Sequence, residues 1–356
     1  MRNNSFDFMR FVAAVAVLVS HHKSLSGATA PAMPIFRDSL GGVAVCVFFA
    51  MSGFLIYQSL ERSARWNEFF AARLARLMPN LAFALVLTSL VMMLWFRNFD
   101  QLAAHVGYVK NNLLMFFRGV QFTIPGVLEG RPQPGPNGSL WTLPYEFWLY
   151  VALFAIFLLT PRLRLAGVAL AFVAAGALWM LATPGEHVRV ASMAFGAIAL
   201  GKLGSYFFAG ALLASLWPLI SHRLSIVAVV ALAGAGLSIF VFPAANPALA
   251  LTFSMLVIAL SLTRWAAPFG KYGDASYGVY IFAFPVQQLT LLAIDGFYAS
   301  MAAALVITIA LGYMTWHLFE ERCVLNRHAL ARLLAMPFRR HDPDLIRGSQ
   351  RGQPQT

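Results

Sequence analysis

The chain has 356 residues, of which 60% are hydrophobic and 11% charged, with a net charge of +12. Soluble domains carry about a quarter of their residues as charges, so this composition excludes an ordinary soluble fold. The basic balance calls for no nucleic acid, because Lys and Arg collect in cytoplasmic loops of membrane proteins.

Apolar runs of spanning length recur from end to end and predict an all-α polytopic membrane protein with about ten transmembrane helices. The short dyad alternation of barrel strands is absent from the pattern. The first predicted span covers residues 6–25 and shows no cleavage site of a signal peptide. It carries Asp7 and Arg10 near its start and His21 and His22 near its end. Arg10 and His21 are eleven residues apart, three turns plus about 20°, so they share one helix face about 16 Å apart. Ionisable groups in an apolar span are costly unless they face protein or water, which makes that face a functional suspect. His22 points about 100° away from His21 and is expected to act separately.

A second span covers 40–60 and includes Ser52, Gly53 and Phe54, where small residues are expected to allow close helix packing. The stretch 61–79 holds Arg62, Arg65, Arg73 and Arg76, and by charge it belongs in the cytoplasm with the N-terminus. Arg73 and Arg76 lie on one face of a predicted helix. Positive-inside bias explains them, and so does phosphate binding by planar guanidiniums. With Arg10 near the same membrane face, the three suit a polyphosphorylated donor such as a coenzyme A.

The third span is 80–96. Residues 102–122 have helical apolar spacing suited to the interface, and 126–138, crowded with Gly and Pro, are expected to be irregular. The fourth span, 140–159, opens with Trp141, Tyr145 and Trp148 at aromatic-belt positions and holds Glu146. A carboxylate there must be paired or wetted, and pairing with His21 would orient the ring and stabilise its imidazolium. An imidazole titrates near neutrality and can take a proton from a hydroxyl, which is the case for His21 as a base.

Further spans fall at 165–182, 203–220, 224–242, 249–262, 277–294 and 301–319, and 191–200 either lengthens the sixth span or is re-entrant. The ninth carries Tyr277, Gln287 and Gln288, which could line a polar cavity for a substrate together with Trp141. Glu320 and Glu321 are expected to be solvated at the end of the tenth. The membrane domain is read as 1–322, and 323–356 as a cytoplasmic basic tail, amphipathic at first and then disordered. Cys46 and Cys323 form no metal or disulfide framework, and no residue spacing suggests a metal site. No Ser or Cys has an evident base beside it, so direct transfer to an acceptor is expected over a covalent acyl-enzyme. Read from the residues alone, the buried Arg, His and Glu suit an enzyme, or equally a transporter or flippase for polar lipids or glycans with a proton relay.

Taken together, the residues resemble the acyltransferase-3 family of integral membrane O-acyltransferases. The resemblance rests on Arg10 and His21 with ten residues between, on the stretches 48–54 and 73–79, and on 140–150 and 276–285. It implies transfer of an acyl group, usually acetyl from acetyl-CoA, to a hydroxyl of a cell-envelope glycan or glycolipid. It implies a bacterial inner membrane with both termini cytoplasmic, no permanently bound cofactor, and no nucleic-acid partner. It makes His21 the catalytic base and assigns Arg73 and Arg76, with Arg10, to the donor. Many members carry His where this chain has Ala283, and some carry an attached esterase-like domain that this sequence does not show.

Overall fold

The protein is described here from a computed structural model covering residues 4–29, 31–63, 65–241 and 246–335. Helix α1 (Phe6–Leu25) leads into a ribbon in which β1 (Ala32–Met33) pairs antiparallel with β2 (Asp38–Ser39). Ser39 caps α2 (Leu40–Arg62), its hydroxyl accepting the Gly42 N–H at 3.0 Å. Arg62 ends α2, while most of the basic stretch 61–79 forms the first half of a 30-residue helix, α3 (Trp66–Trp95), which includes Arg73 and Arg76. Its Ala, Leu, Arg and Met residues are strong helix formers, and the helix continues through Pro79.

The short helices α4 (Leu102–Leu113) and α5 (Met115–Arg118) follow, then irregular chain as expected up to a 3-10 turn at Gly138–Trp141. Asn137 caps that turn and α6 (Thr142–Phe157) continues from it. Pro161 opens α7 (Pro161–Leu181), at the first helical position where its missing N–H costs nothing. Of residues 191–200, the last four do lengthen the sixth span, as the start of the helix that begins at Ala197. Residues 191–196 belong to a hairpin of β3 (His187–Val190) and β4 (Met193–Gly196), which hands directly to α8 (Ala197–Ile220). Then come α9 (Leu224–Val241), α10 (Pro247–Leu262), α11 (Ser276–Ala293) and α12 (Phe297–Thr315). The last continues through a π-helical segment, Trp316–Glu320, into α13 (Glu321–Leu325), and α14 (Arg327–Ala335) lies against α3. Arg2, Arg339, Arg340 and the rest of the tail beyond 335 lie outside the described residues.

The helices share two apolar cores. One joins α1, α2, α6, α8 and α10, and the other joins α3, α4, the 124–128 loop, the start of α6 and α11. Helix α11 is buried from Ser276 through Gln288 and forms the axis of the bundle, packed on α1, α3 and α12. Against α2, α8 approaches so closely that a Cβ at Gly53 would overlap the Phe207 carbonyl and one at Gly210 the Ala50 carbonyl. Small residues at such crossings let backbones meet inside a membrane. Helix α7 buries few residues and exposes Leu163, Leu170, Val173 and Leu181, which suits lipid contact.

Among the described residues, six helical stretches are long and apolar enough to cross a membrane. They are Leu40–Arg62, Trp66–Trp95, Gly138–Phe157, Pro161–Leu181, Ala197–Arg223 and Phe297–Leu325. The expected count of about ten is therefore not reached by length and apolarity. Helix α10 has 16 residues, while α1 and α11 carry Arg10, His21 and His22, or Gln287 and Gln288, in otherwise apolar sequence.

Candidate active site

The polar face of α1 meets three cavities that share walls. At one end a cavity of about 500 Å³ is lined by Arg10, Arg73 and Arg76, joined by Arg62 and Arg327. A narrow central cavity of about 120 Å³ shares those first three arginines and adds Ser52, Glu146, Tyr150, Tyr277 and Tyr280. Tyr280 and Val45 also line the third cavity, of about 550 Å³, which contains His21 and Trp141. Arg10 and His21 thus stand toward opposite ends of one chain of cavities, as their spacing on a single helix requires.

The arginine end is a network of charges. Arg10 donates to Asp7 at 3.4 Å and to Asp274 at 2.9 Å. Arg76 donates to Asp274 Oδ2 at 2.7 Å and to Glu320, and its guanidinium lies 5.1 Å from the Trp316 ring centre. Burial pushes the Asp274 carboxyl up, but the Arg76 and Arg10 guanidiniums outweigh it and hold the group at about 2. Glu320 also accepts from Asn80 at 3.2 Å and is 0% exposed. The expectation that it is solvated is therefore corrected: the π-helical turn carries it inward to Arg76. Arg73 differs, making no hydrogen bond or ion pair among the described residues, with its Nε buried and unpartnered.

In the central cavity Glu146 accepts from Ser52 at 2.9 Å and from the Tyr150 hydroxyl. These partners, not His21, satisfy the carboxylate, so the expected pairing of Glu146 with His21 is not formed. The His21 ring instead packs edge-on against Phe284 with centroids 5.4 Å apart. His22 lies elsewhere, buried and bonded through Nε2 to Ser300 at 3.0 Å. Tyr280 exchanges a hydrogen bond with Thr142 at 2.7 Å and donates to the Ser139 carbonyl at 3.1 Å, which fixes the wall between two cavities.

Of the residues expected to meet a substrate, Trp141 lines the His21 cavity and Tyr277 the central one. Gln287 and Gln288 line neither. Gln287 donates to the Leu18 carbonyl at 2.7 Å, and Gln288 to the Gln133 and Gly135 carbonyls at 2.6 and 3.0 Å. Their amide N–H groups join α11 to α1 and to the irregular loop, while Gln287 Oε1 is buried without a partner among the described residues. Ala283 is fully buried in α11, and it is its neighbour Phe284 that reaches His21.

The sequence did not single out Ser52, Tyr150, Asp274 or the Asp38–Lys202 pair of the His21 cavity as site residues. Asp274 stands 264 residues from Arg10, and only the fold brings the two together. The single cue was its place two residues before a helix, a common and uninformative position for an acid.

A family model described as an acyltransferase domain matches residues 3–317. An O-acetyl transferase of Shigella phage Sf6 is 31% identical over 339 residues, covering 90% of this chain and 96% of the relative. Nodulation protein 10 of Rhizobium leguminosarum bv. viciae is 27% identical over 354 residues, covering 92% and 95%. No solved structure matches. With the family domain spanning nearly the whole helical bundle and both ends of the α1 polar face, the chain belongs to the acyltransferase-3 family and is a membrane O-acyltransferase.

Proposed function

We propose that the protein transfers an acetyl group from acetyl-CoA to a hydroxyl of a cell-envelope glycan or glycolipid. The observation that carries this reading is the chain of cavities, continuous in its lining from Arg10, Arg73 and Arg76 to His21. A donor with phosphates at one end and a thioester on a long thin arm matches that shape and charge. Guanidiniums bind phosphate well, and Arg73, which makes no ion pair or hydrogen bond among the described residues, is the one most ready to do so. The arm would lie along Ser52, Leu55, Tyr277 and Tyr280.

At the far end the His21 imidazole takes the proton of the acceptor hydroxyl as its oxygen attacks the thioester carbonyl. The tetrahedral intermediate breaks its C–S bond, and the thiolate leaves with the proton returned by the imidazolium. The products are an O-acetyl ester and free coenzyme A. Glu146, whose negative charge attracts Arg73 and which is held by Ser52 and Tyr150, is a positioning residue for the donor end. The gathering of Arg62, Arg73, Arg76, Arg10 and Arg327 around one cavity supports a cytoplasmic arginine end, both termini on that side, and residence in the inner membrane. The printed name of the phage relative supports acetyl as the group moved.

Mass spectrometry of envelope glycans from cells with and without the protein tests the reading. Acetyl esters that appear only with the protein, and only when acetyl-CoA is available, support it. An unchanged glycan alongside uptake or export of a polar solute would overturn it.

A further inference from the structure

The His21 cavity holds a charged pair that the transfer reaction does not use. Asp38 precedes α2, and its Oδ1 accepts the Ser39 N–H at 2.7 Å. Its carboxylate lies over Gly42 so closely that any Cβ there would overlap it. The other oxygen, Oδ2, takes Lys202 from α8. Both side chains are about one-fifth exposed, 23% and 20%, so the pair faces the cavity without being open to bulk solvent. An ammonium has three donors, and Asp38 occupies one of them.

The opposite resource is aromatic. Trp141 lines the cavity and is braced edge-on by Tyr145 at 5.5 Å, which in turn packs on Phe195 of the hairpin at 4.8 Å. The Tyr145 hydroxyl accepts the Gly196 N–H at 3.0 Å, so the ring and the hairpin wall are fixed to each other. That hairpin brings Glu186 and His187 to the rim.

We propose that this cavity is the acceptor pocket and is built for an uncharged sugar residue, with the Asp38–Lys202 pair as its polar clamp. The proposal rests on the reading of the acceptor as a glycan and adds the charge class of the sugar. Its volume of about 550 Å³ falls within the range of small-molecule sites. The electron-rich face of Trp141 suits the C–H face of a pyranose, while a carboxylate and an ammonium side by side suit neighbouring hydroxyls. Among the lining residues Lys202 is the one Lys or Arg, against Asp38 and Glu186. With histidines neutral the wall carries surplus negative charge, so a uronate or phosphorylated sugar meets repulsion and no free cation. The guanidiniums that would bind such a group sit in the other cavities.

The test uses the full-length protein in membrane vesicles with acetyl-labelled acetyl-CoA and the envelope glycan of the producing cell. The labelled glycan is broken down to the residue that bears the label. Label on a neutral sugar supports the proposal, and label on an acidic or phosphorylated one overturns it. Label in no glycan at all overturns the glycan reading itself, a separate result. Lys202→Met is expected to raise the acceptor KM about tenfold, or about 1.4 kcal/mol, with the donor KM unchanged as the control for folding. Lys202→Arg, which keeps the cation, should recover part of that loss. Asp38→Asn frees the ammonium and should narrow the preference for neutral over acidic sugars about tenfold. Unchanged acceptor KM in both Lys202→Met and Asp38→Asn would remove the clamp.

Discussion

Arg10 and Arg76, 66 positions apart, donate to the same oxygen, Asp274 Oδ2, at 2.9 and 2.7 Å. Asp7 and Glu320 complete the set, so two guanidiniums are shared among three carboxylates within the bundle. Arg73, which lines the same cavities, makes no ion pair among the described residues.

That contrast separates two arginines that look alike in sequence. Arg76→Ala leaves Glu320 and part of Asp274 without a counter-charge in a mostly buried place, a loss of about 3–5 kcal/mol. Arg73→Ala removes a group with no ion pair and is expected to leave stability almost unchanged while raising the acetyl-CoA KM about tenfold. Thermal unfolding in detergent and donor kinetics on both variants check this. A stable Arg76→Ala beside an unfolded Arg73→Ala would reverse the assignment.

Asp274 makes the network sensitive to acid. Its pKa is held at about 2 in the fold against 3.8 for an ordinary aspartate. A depressed carboxylate stabilises the folded state fully above its unfolded value and loses that contribution as pH falls through the folded one. The expected window is therefore pH 4 down to 2, with a contribution on the order of 2 kcal/mol. Asp274→Asn should flatten the acid limb of a stability–pH curve in that window. An acid limb identical in the variant and the parent would show that Asp274 carries no such linkage.

The crossing of α2 and α8 depends on two glycines. Gly53→Val and Gly210→Val would each press a side chain into a backbone carbonyl and should cost about 1–3 kcal/mol or more. Gly107→Ala on α4, where nothing lies within 4 Å of the added carbon, should be neutral or gain up to about 1 kcal/mol from helix propensity. Fluorescence-detected size exclusion of the three variants reads the difference directly.

Glu146 and Ser52 discriminate direct transfer from a covalent route. Glu146→Gln is expected to raise the donor KM about tenfold and leave the pH profile of kcat in place, because the carboxylate does not touch His21. Ser52→Ala should keep transfer within about tenfold of the parent. Acetyl found on Ser52 by peptide mass spectrometry would instead make it a nucleophile with Glu146 as its base.

Much of this was legible in the sequence through periodicity. The eleven-residue separation of Arg10 and His21 fixes their shared face on a helix, and Arg73 and Arg76 follow by the same rule. Helix breakers marked the irregular loop before Gly138, whereas α7 starts at Pro161, four residues before the span expected from 165. Pairings across the bundle left no such mark. Glu320 reads as a helix-end acid until the π-helical turn carries it inward, and Asp274 reads as an ordinary acid before a helix. Glu146 was rightly judged too costly to stand alone, but Ser52 and Tyr150 were the partners, one from a different helix and one a turn away. Gln287 and Gln288 looked like cavity residues because buried amides need partners. Backbone carbonyls of α1 and the loop supplied them. The β3–β4 hairpin was hidden because its short apolar run is compatible with a helix as well as with strands.

The central claim is that donor and base are held at opposite ends of one helix face. The most direct test is acetyl transfer by purified His21→Ala, measured beside its affinity for acetyl-CoA. Transfer is expected to fall by a factor of about 10²–10⁴ with donor affinity unchanged. Full transfer activity in a correctly inserted His21→Ala protein would contradict it.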